Sequence, residues 1–143
     1  MAHLMTASKH GYYRGRHSCF LLQYHLVLTT KYRHPVLTGP VEEFLRTYTT
    51  TYFKDHFAPI IKMEIMPEHI HILFETDPTT RLDTFINAFK AASSRLIRSR
   101  YPEELSKWYW EPLFWARTYF IASVSEQSTA IVKRYIEMQK ERK

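Results

Sequence analysis

Two short apolar runs, Ile60–Met66 and His69–Glu75, are separated by only Pro67 and Glu68. Strands joined that tightly must lie side by side and antiparallel, because a parallel pair needs a crossover of roughly a dozen residues or more. A hairpin therefore sits at the middle of the chain, and the flanking segments must extend or cover its sheet.

Leu22 to Thr29, rich in leucine, β-branched and aromatic residues, predicts another strand, closed off by Pro35 and the Gly39-Pro40 pair. Val41 to Phe57 has Val41, Phe44, Leu45, Tyr48 and Tyr52 near helical spacing and predicts a helix, although Thr47, Thr49, Thr50 and Thr51 are weak helix formers. Leu82, Phe85, Ile86, Phe89, Leu96 and Ile97 form the clearest helical stripe, and Thr80 with Asp83 reads as a capping box at its start. Tyr101-Pro102 ends it. Tyr119 to Val124 predicts a fourth strand, and Ser123 and Glu126 mark the start of a last helix running to about Lys140.

The order β-α-β-β-α-β-α predicts an α+β, ferredoxin-like (RRM-like) four-stranded antiparallel sheet with two crossing helices and an additional C-terminal helix. No repeat or linker interrupts it, so residues 1–143 read as one domain, with residues 1–11 as a flexible tail. That fold serves many functions, and the chemistry has to be read from side chains.

Charge narrows the partner. The net charge is +6, and Lys9, Arg14, Arg16, Lys31 and Arg33 all precede the first acidic residue, Glu42. Lys90, Arg95, Arg98 and Arg100 put more positive charge on the polar face of the long helix. Such asymmetry points to a polyanion, nucleic acid before membrane. Aromatic residues reach 15%, and although most should fill the core, some can stack unpaired bases. Cys19 is the sole cysteine, which excludes a disulfide scaffold, and no apolar run is long enough to span a bilayer. We expect a soluble, cytoplasmic protein with no membrane partner and no small-molecule substrate.

His69-Ile70-His71 places two imidazoles on one face of a strand, with Ile70, Ile72 and Phe74 on the other. With a further ligand from outside the strand, that pair can hold a divalent ion. Two hydrogen-bonded strand histidines would satisfy the same short pattern. Tyr135 and Gln139 are four apart, on one face of the last helix, among Lys133, Arg134 and Lys140. Beside a metal that polarises a phosphodiester, a phenol becomes an effective nucleophile. Packing on the sheet in line with Ile131 and Met138 is the alternative role for Tyr135.

Taken together, Gln23-Tyr24-His25-Leu26-Val27 with Lys31-Tyr32-Arg33-His34, the block Met63 to Leu73 containing Met-Pro-Glu-His-Ile-His, Phe114 to Phe120, and Tyr135-Ile136-Glu137-Met138-Gln139 resemble the single-tyrosine HUH transposases of the insertion-sequence 200/605 family. The resemblance covers nearly the whole chain. It implies that His69, His71 and Gln139 hold Mg²⁺ or Mn²⁺ and that Tyr135 attacks the scissile phosphate. The products implied are a 5′-phosphotyrosine and a free 3′-OH. It further implies single-stranded DNA hairpins at element ends as substrate, a homodimer in which the tyrosine helix of one subunit commonly completes the other's site, and action at the prokaryotic nucleoid. Arg14, Arg16, Lys31, Arg33, Lys90, Arg95 and Arg98 are candidates for DNA contact. His25 is a neighbour that could take the phenolic proton, or a satisfied strand histidine. Many family members carry Gly where this chain has Ser125, a difference that bears on movement of the last helix and leaves the chemistry untouched.

Three rivals share parts of this pattern. A domesticated hairpin-specific endonuclease would use the same chemistry. A two-histidine phosphoesterase would form no covalent protein–DNA species. A non-catalytic RNA-binding module would need a glycine-containing aromatic signature, which a chain with no glycine after Gly39 lacks in its later strands.

Overall fold

The computed structural model describes residues 6–7, 12–15, 17–125 and 128–141. Near the N-terminus, β1 (Thr6–Ala7), β2 (Tyr13–Arg14) and β3 (Cys19–Phe20) form a small antiparallel sheet in that order. Two residues of the segment expected to be a tail therefore pair, Thr6 with Arg14 and Ala7 with Tyr13. The Tyr13 hydroxyl donates to the Glu75 carboxylate, whose other oxygen accepts from Gln23 Nε2 at 2.7 Å, which docks this ribbon on the larger sheet.

That sheet contains β4 (Leu22–Thr29), β5 (Ile60–Met66), β6 (His69–Thr76) and β7 (Phe120–Ser123) in the order β5-β6-β4-β7, all neighbours antiparallel. The hairpin closes as its two-residue connection requires, with Met66 opposite His69 and Glu64 opposite His71. Alternation along β4 and β6 gives the sheet two different faces. Leu26, Leu28, Ile70, Ile72 and Phe74 point to one side and are buried there.

Helices α1 (Gly39–Asp55) and α2 (Leu82–Arg100) cover that side. Val41, Leu45, Phe53, Phe85, Ile86, Phe89 and Ile97 join the five strand residues in one core. Phe53 is its hub, edge-on to Phe74, Phe85 and Phe89 at centroid separations of 5.3, 4.8 and 5.3 Å. The short α3 (Pro102–Ser106), which the sequence did not suggest, follows α2. Trp115, in the connection between α3 and the last strand, is buried, and its Nε1 donates to Ser93 Oγ at 3.0 Å. Helix α4 (Ser128–Glu141) packs on the opposite side of the sheet, against β4 and β7, and buries Val132 there. Among the described residues, no helix is long and apolar enough to cross a membrane.

Three boundaries differ from expectation. Helix α1 starts at Gly39, with φ +55°, so the Gly39-Pro40 pair opens the helix; proline in the first turn forfeits only an N–H that has no intrahelical partner. The Thr80–Asp83 capping box does not form: Thr80 Oγ1 donates instead to Asp77 Oδ1 at 3.1 Å, the same oxygen that receives Thr79 N–H at 3.0 Å, so an Asp-centred turn precedes α2. Helix α4 starts at Ser128, while Ser123 belongs to β7 and Glu126 lies outside the described residues. Ser128 Oγ accepts the Ser125 N–H at 3.0 Å and donates to the Ser125 carbonyl at 2.9 Å, closing the turn that leads into the helix.

Candidate active site

The second face of the sheet carries the chemistry because of register. His69 and His71 lie opposite Thr29 and Val27 on β4 and opposite Met66 and Glu64 on β5, so all six side chains leave the same face. His25, opposite Leu73, joins them on the diagonal. A cavity of about 550 Å³ opens here, lined from the sheet by His25, Lys62, Glu64, His69 and His71 and from α4 by Lys133 and Ile136, among others.

Each histidine of the pair is braced by a carboxylate. His69 Nδ1 donates to Glu68 Oε1 at 3.0 Å, and His71 Nδ1 faces Glu64 Oε1 at 3.4 Å. Since a carboxylate only accepts, these contacts place the proton on Nδ1 and leave Nε2 with the lone pair. Carboxylate-backed imidazoles of this tautomer suit metal ligation. Burial depresses the His71 pKa, with the nearby His25 adding to the effect and Glu64 opposing it; burial depresses His25 as well. Both rings are held towards the neutral form, the form that ligates. His25 Nδ1 lies 3.0 Å from His71 Nε2 and donates to it. The lone pair a metal would take on His71 is thus engaged by His25 in the single chain. Among the described residues, no three His, Cys, Asp or Glu side chains form a metal-holding group.

Tyr135 and Gln139 lie on α4 but do not line this cavity. The Tyr135 ring sits on Phe120 of β7, with centroids 4.7 Å apart. Phe120 pairs with Val27, which pairs with His71, so the tyrosine rests two strands from the histidine pair, roughly 10 Å at the usual strand spacing. Its hydroxyl is buried with no hydrogen-bond partner among the described residues. The structure thus brings His69, His71 and His25 together and seats Tyr135 of the same chain on Phe120, outside the lining of their cavity.

The basic residues divide similarly. Arg33 bridges the site from within: one guanidinium nitrogen lies 3.4 Å from Glu68 Oε1 and the other donates to the Ile136 carbonyl of α4 at 3.4 Å. Lys31 is half-buried, with Nζ 5.3 Å from the Tyr32 ring. Lys90 donates to the Ala116 and Arg117 carbonyls, both at 2.9 Å, and burial depresses its pKa, so its ammonium fastens the segment before β7. Arg98 Nε donates to Ser94 Oγ at 3.2 Å, and the Arg100 guanidinium lies 4.8 Å from the Phe44 ring centre. These three and the exposed Arg95 belong to α2, on the core side of the sheet and away from the histidines. Arg14 is exposed on β2, and Arg16 lies outside the described residues. Sequence reasoning passed over Glu64 and Glu68 as braces, although counting outwards from the Pro67-Glu68 turn pairs Glu64 with His71 directly.

Comparison with known proteins shows the family. The family model described as "Transposase IS200 like" matches residues 18–139. The ISDra2 transposase TnpA of Deinococcus radiodurans is 36% identical over 126 residues, covering 88% of this chain and 89% of that protein. The transposase for insertion sequence element IS200 of Salmonella typhimurium is 26% identical over 125 residues, covering 87% of this chain and 81% of its own. A crystal structure described as that of a transposase from D. radiodurans R1 superposes with a TM-score of 0.80 at 32% identity, over 88% of this chain and 96% of that one. A tyrosine transposase bound to a REP hairpin shares the fold, with a TM-score of 0.57 at 11% identity over 84% of this chain and 67% of that one. With the family's pattern matched across 18–139 and the paired histidines braced on one face of its sheet, this chain belongs to the IS200-like transposases.

Proposed function

We infer that the protein is a metal-dependent single-stranded DNA transposase that cleaves at hairpin-bearing element ends and rejoins strands through Tyr135. The carboxylate-braced pair His69 and His71, open to a cavity that also holds Lys62 and Lys133, carries this reading. The strand order β5-β6-β4-β7 with α1 and α2 on one side supports a ferredoxin-like domain with the nucleophile on the appended α4.

His69 and His71 would hold Mg²⁺ or Mn²⁺, with His25 giving up its hydrogen bond to His71, and with the Gln139 amide oxygen as third ligand. When bound, the ion polarises the scissile phosphate. The Tyr135 oxygen would bond to phosphorus as its phenolic proton passes to solvent, the bond from phosphorus to the 3′-oxygen would break, and that oxygen would take a proton from solvent and leave as a 3′-OH while the 5′-phosphate stays on tyrosine. One phosphodiester replaces another, so a later 3′-OH can reverse the step and rejoin strands without ATP. Lys62 and Lys133 supply positive charge to the bound backbone. Because Tyr135 and Gln139 do not line the cavity of their own chain, we assign them to the site of a second subunit in a homodimer.

The test uses end-labelled hairpin-bearing single strands with Mn²⁺ and a denaturing gel. The wild type should give a protein–DNA adduct and Tyr135→Phe none. An adduct that persists in Tyr135→Phe overturns the assignment, and cutting without any adduct identifies a hydrolytic phosphoesterase instead.

A further inference from the structure

Beside the histidine cavity stands a group of aromatic side chains that strand transfer at Tyr135 does not use. Tyr32 is 56% exposed, Trp108 41% and Trp110 97%. The Trp108 ring stacks on His34 with centroids 5.1 Å apart and an interplanar angle of 27°, and Tyr32 meets the same imidazole edge-on at 5.9 Å. Rings this exposed forgo burial that each could gain in the core.

The turn that carries Tyr32 is fixed by its backbone. Tyr32 and Arg33 both adopt left-handed conformations, with φ of +59° and +55°, which non-glycine residues avoid. Three hydrogen bonds maintain that turn: Tyr109 Oη donates to the Lys31 carbonyl at 2.6 Å, Lys31 N–H to the Phe114 carbonyl at 2.8 Å, and Thr30 Oγ1 to the His34 carbonyl at 2.7 Å. The turn continues β4 directly beyond Thr29, the register partner of His69. Through Arg33 it also contacts Glu68, the carboxylate that braces His69. The aromatic surface therefore adjoins the end of the reaction site.

We propose that Tyr32, His34, Trp108 and Trp110 form a stacking platform for unpaired bases of the single strand next to the cleavage site, with Lys31 on the adjoining phosphate. The surface presents exposed aromatic rings and an ammonium. That combination matches a nucleobase and its phosphate better than an apolar protein surface. The assignment rests on the single-stranded DNA reading above and adds to it the residues that hold DNA outside the hairpin.

Tryptophan emission reports the platform, because Trp108 and Trp110 are solvent-exposed whereas Trp115 is buried. The protein is titrated with a short thymidine oligonucleotide and with an abasic oligonucleotide of equal length, without divalent ion. The thymidine strand should quench emission and the abasic strand should not. Trp110→Leu, at a position with almost no packing to lose, should keep the wild-type melting temperature. It should bind the thymidine strand roughly tenfold more weakly and the abasic strand equally, in line with stacking of about 1–3 kcal/mol per base. Tyr32→Ala should act in the same direction. Wild-type affinity for thymidine in both variants overturns the platform, as does equal quenching by the abasic strand. Loss of self-association in Trp110→Leu at unchanged DNA affinity also overturns it, in favour of contact with a second copy. If quenching behaves as expected but no Tyr135 adduct forms, the transposase chemistry fails and the platform stands; if the adduct forms and the variants bind normally, the platform alone fails.

Discussion

Tyr135 combines a ring packed on Phe120 with a buried hydroxyl that has no hydrogen-bond partner among the described residues. An unpaired buried hydroxyl costs about 1–3 kcal/mol, and such groups in native proteins ask for an explanation beyond packing. Tyr135→Phe removes the hydroxyl and keeps the ring, so its melting temperature should equal or exceed that of the wild type while strand transfer disappears. Thermal unfolding of the two proteins decides this. A clear drop in Tm would show that the hydroxyl has a stabilising partner in solution. The histidines present the opposite case, since carboxylates fix both Nδ1 positions at 3.0 and 3.4 Å. Their same-face placement was legible from a spacing of two on a strand, whereas the braces came from a neighbouring strand and from the turn, contacts that only pairing creates.

At the scale of elements, the connection between α3 and β7 is anchored by side chains that bond to backbone at distant positions. Tyr109 reaches the Lys31 carbonyl, and Lys90 reaches the Ala116 and Arg117 carbonyls. Burial raises the Tyr109 phenol to about 12. A folded-state value above the unfolded ~10 means a contribution that is complete below about pH 10 and is lost as pH rises through the folded value. The stability advantage of the wild type over Tyr109→Phe, measured by urea unfolding, should therefore be constant to about pH 9 and shrink between roughly pH 10 and 12. A pH-independent difference would show that the phenol does not titrate as its burial requires. Apolar periodicity made β4, β5, β6 and α2 legible nearly to the residue, because burial on one face imposes that period directly. Local hydrogen bonding made the ends less so: Asp77 captured Thr80 from the expected capping box, and Ser128 with Ser125 moved the start of α4 five residues beyond Ser123.

For the whole molecule, the separation of Tyr135 from the histidine cavity is the property with the largest functional consequence. If each site takes its histidines from one subunit and its tyrosine from the other, His69→Ala and Tyr135→Phe are complementary defects. Each variant alone should form no adduct. Mixed and allowed to exchange subunits, they should recover roughly a quarter of wild-type adduct, since random exchange makes about half the dimers mixed and each mixed dimer has one intact site of two. Adduct that stays absent after verified exchange would place Tyr135 in its own subunit's site and require α4 to swing across the sheet.

Sequence by itself determined which residues could meet and which chemistry they could offer. The two-residue Pro67-Glu68 connection forced the hairpin, the alternation of β6 put His69 and His71 on one face, and helical spacing aligned Tyr135 with Gln139. These are local consequences of backbone geometry, with periods of 2 and 3.6 residues that need no knowledge of the rest of the chain. Tertiary structure alone decided who meets whom. It placed His25 against His71 and seated Tyr135 on Phe120, outside the histidine cavity. It also gave Arg33 and Lys90 partners within the chain, because a charge beside unsatisfied carboxylate or carbonyl oxygens finds its partner there once packing excludes water.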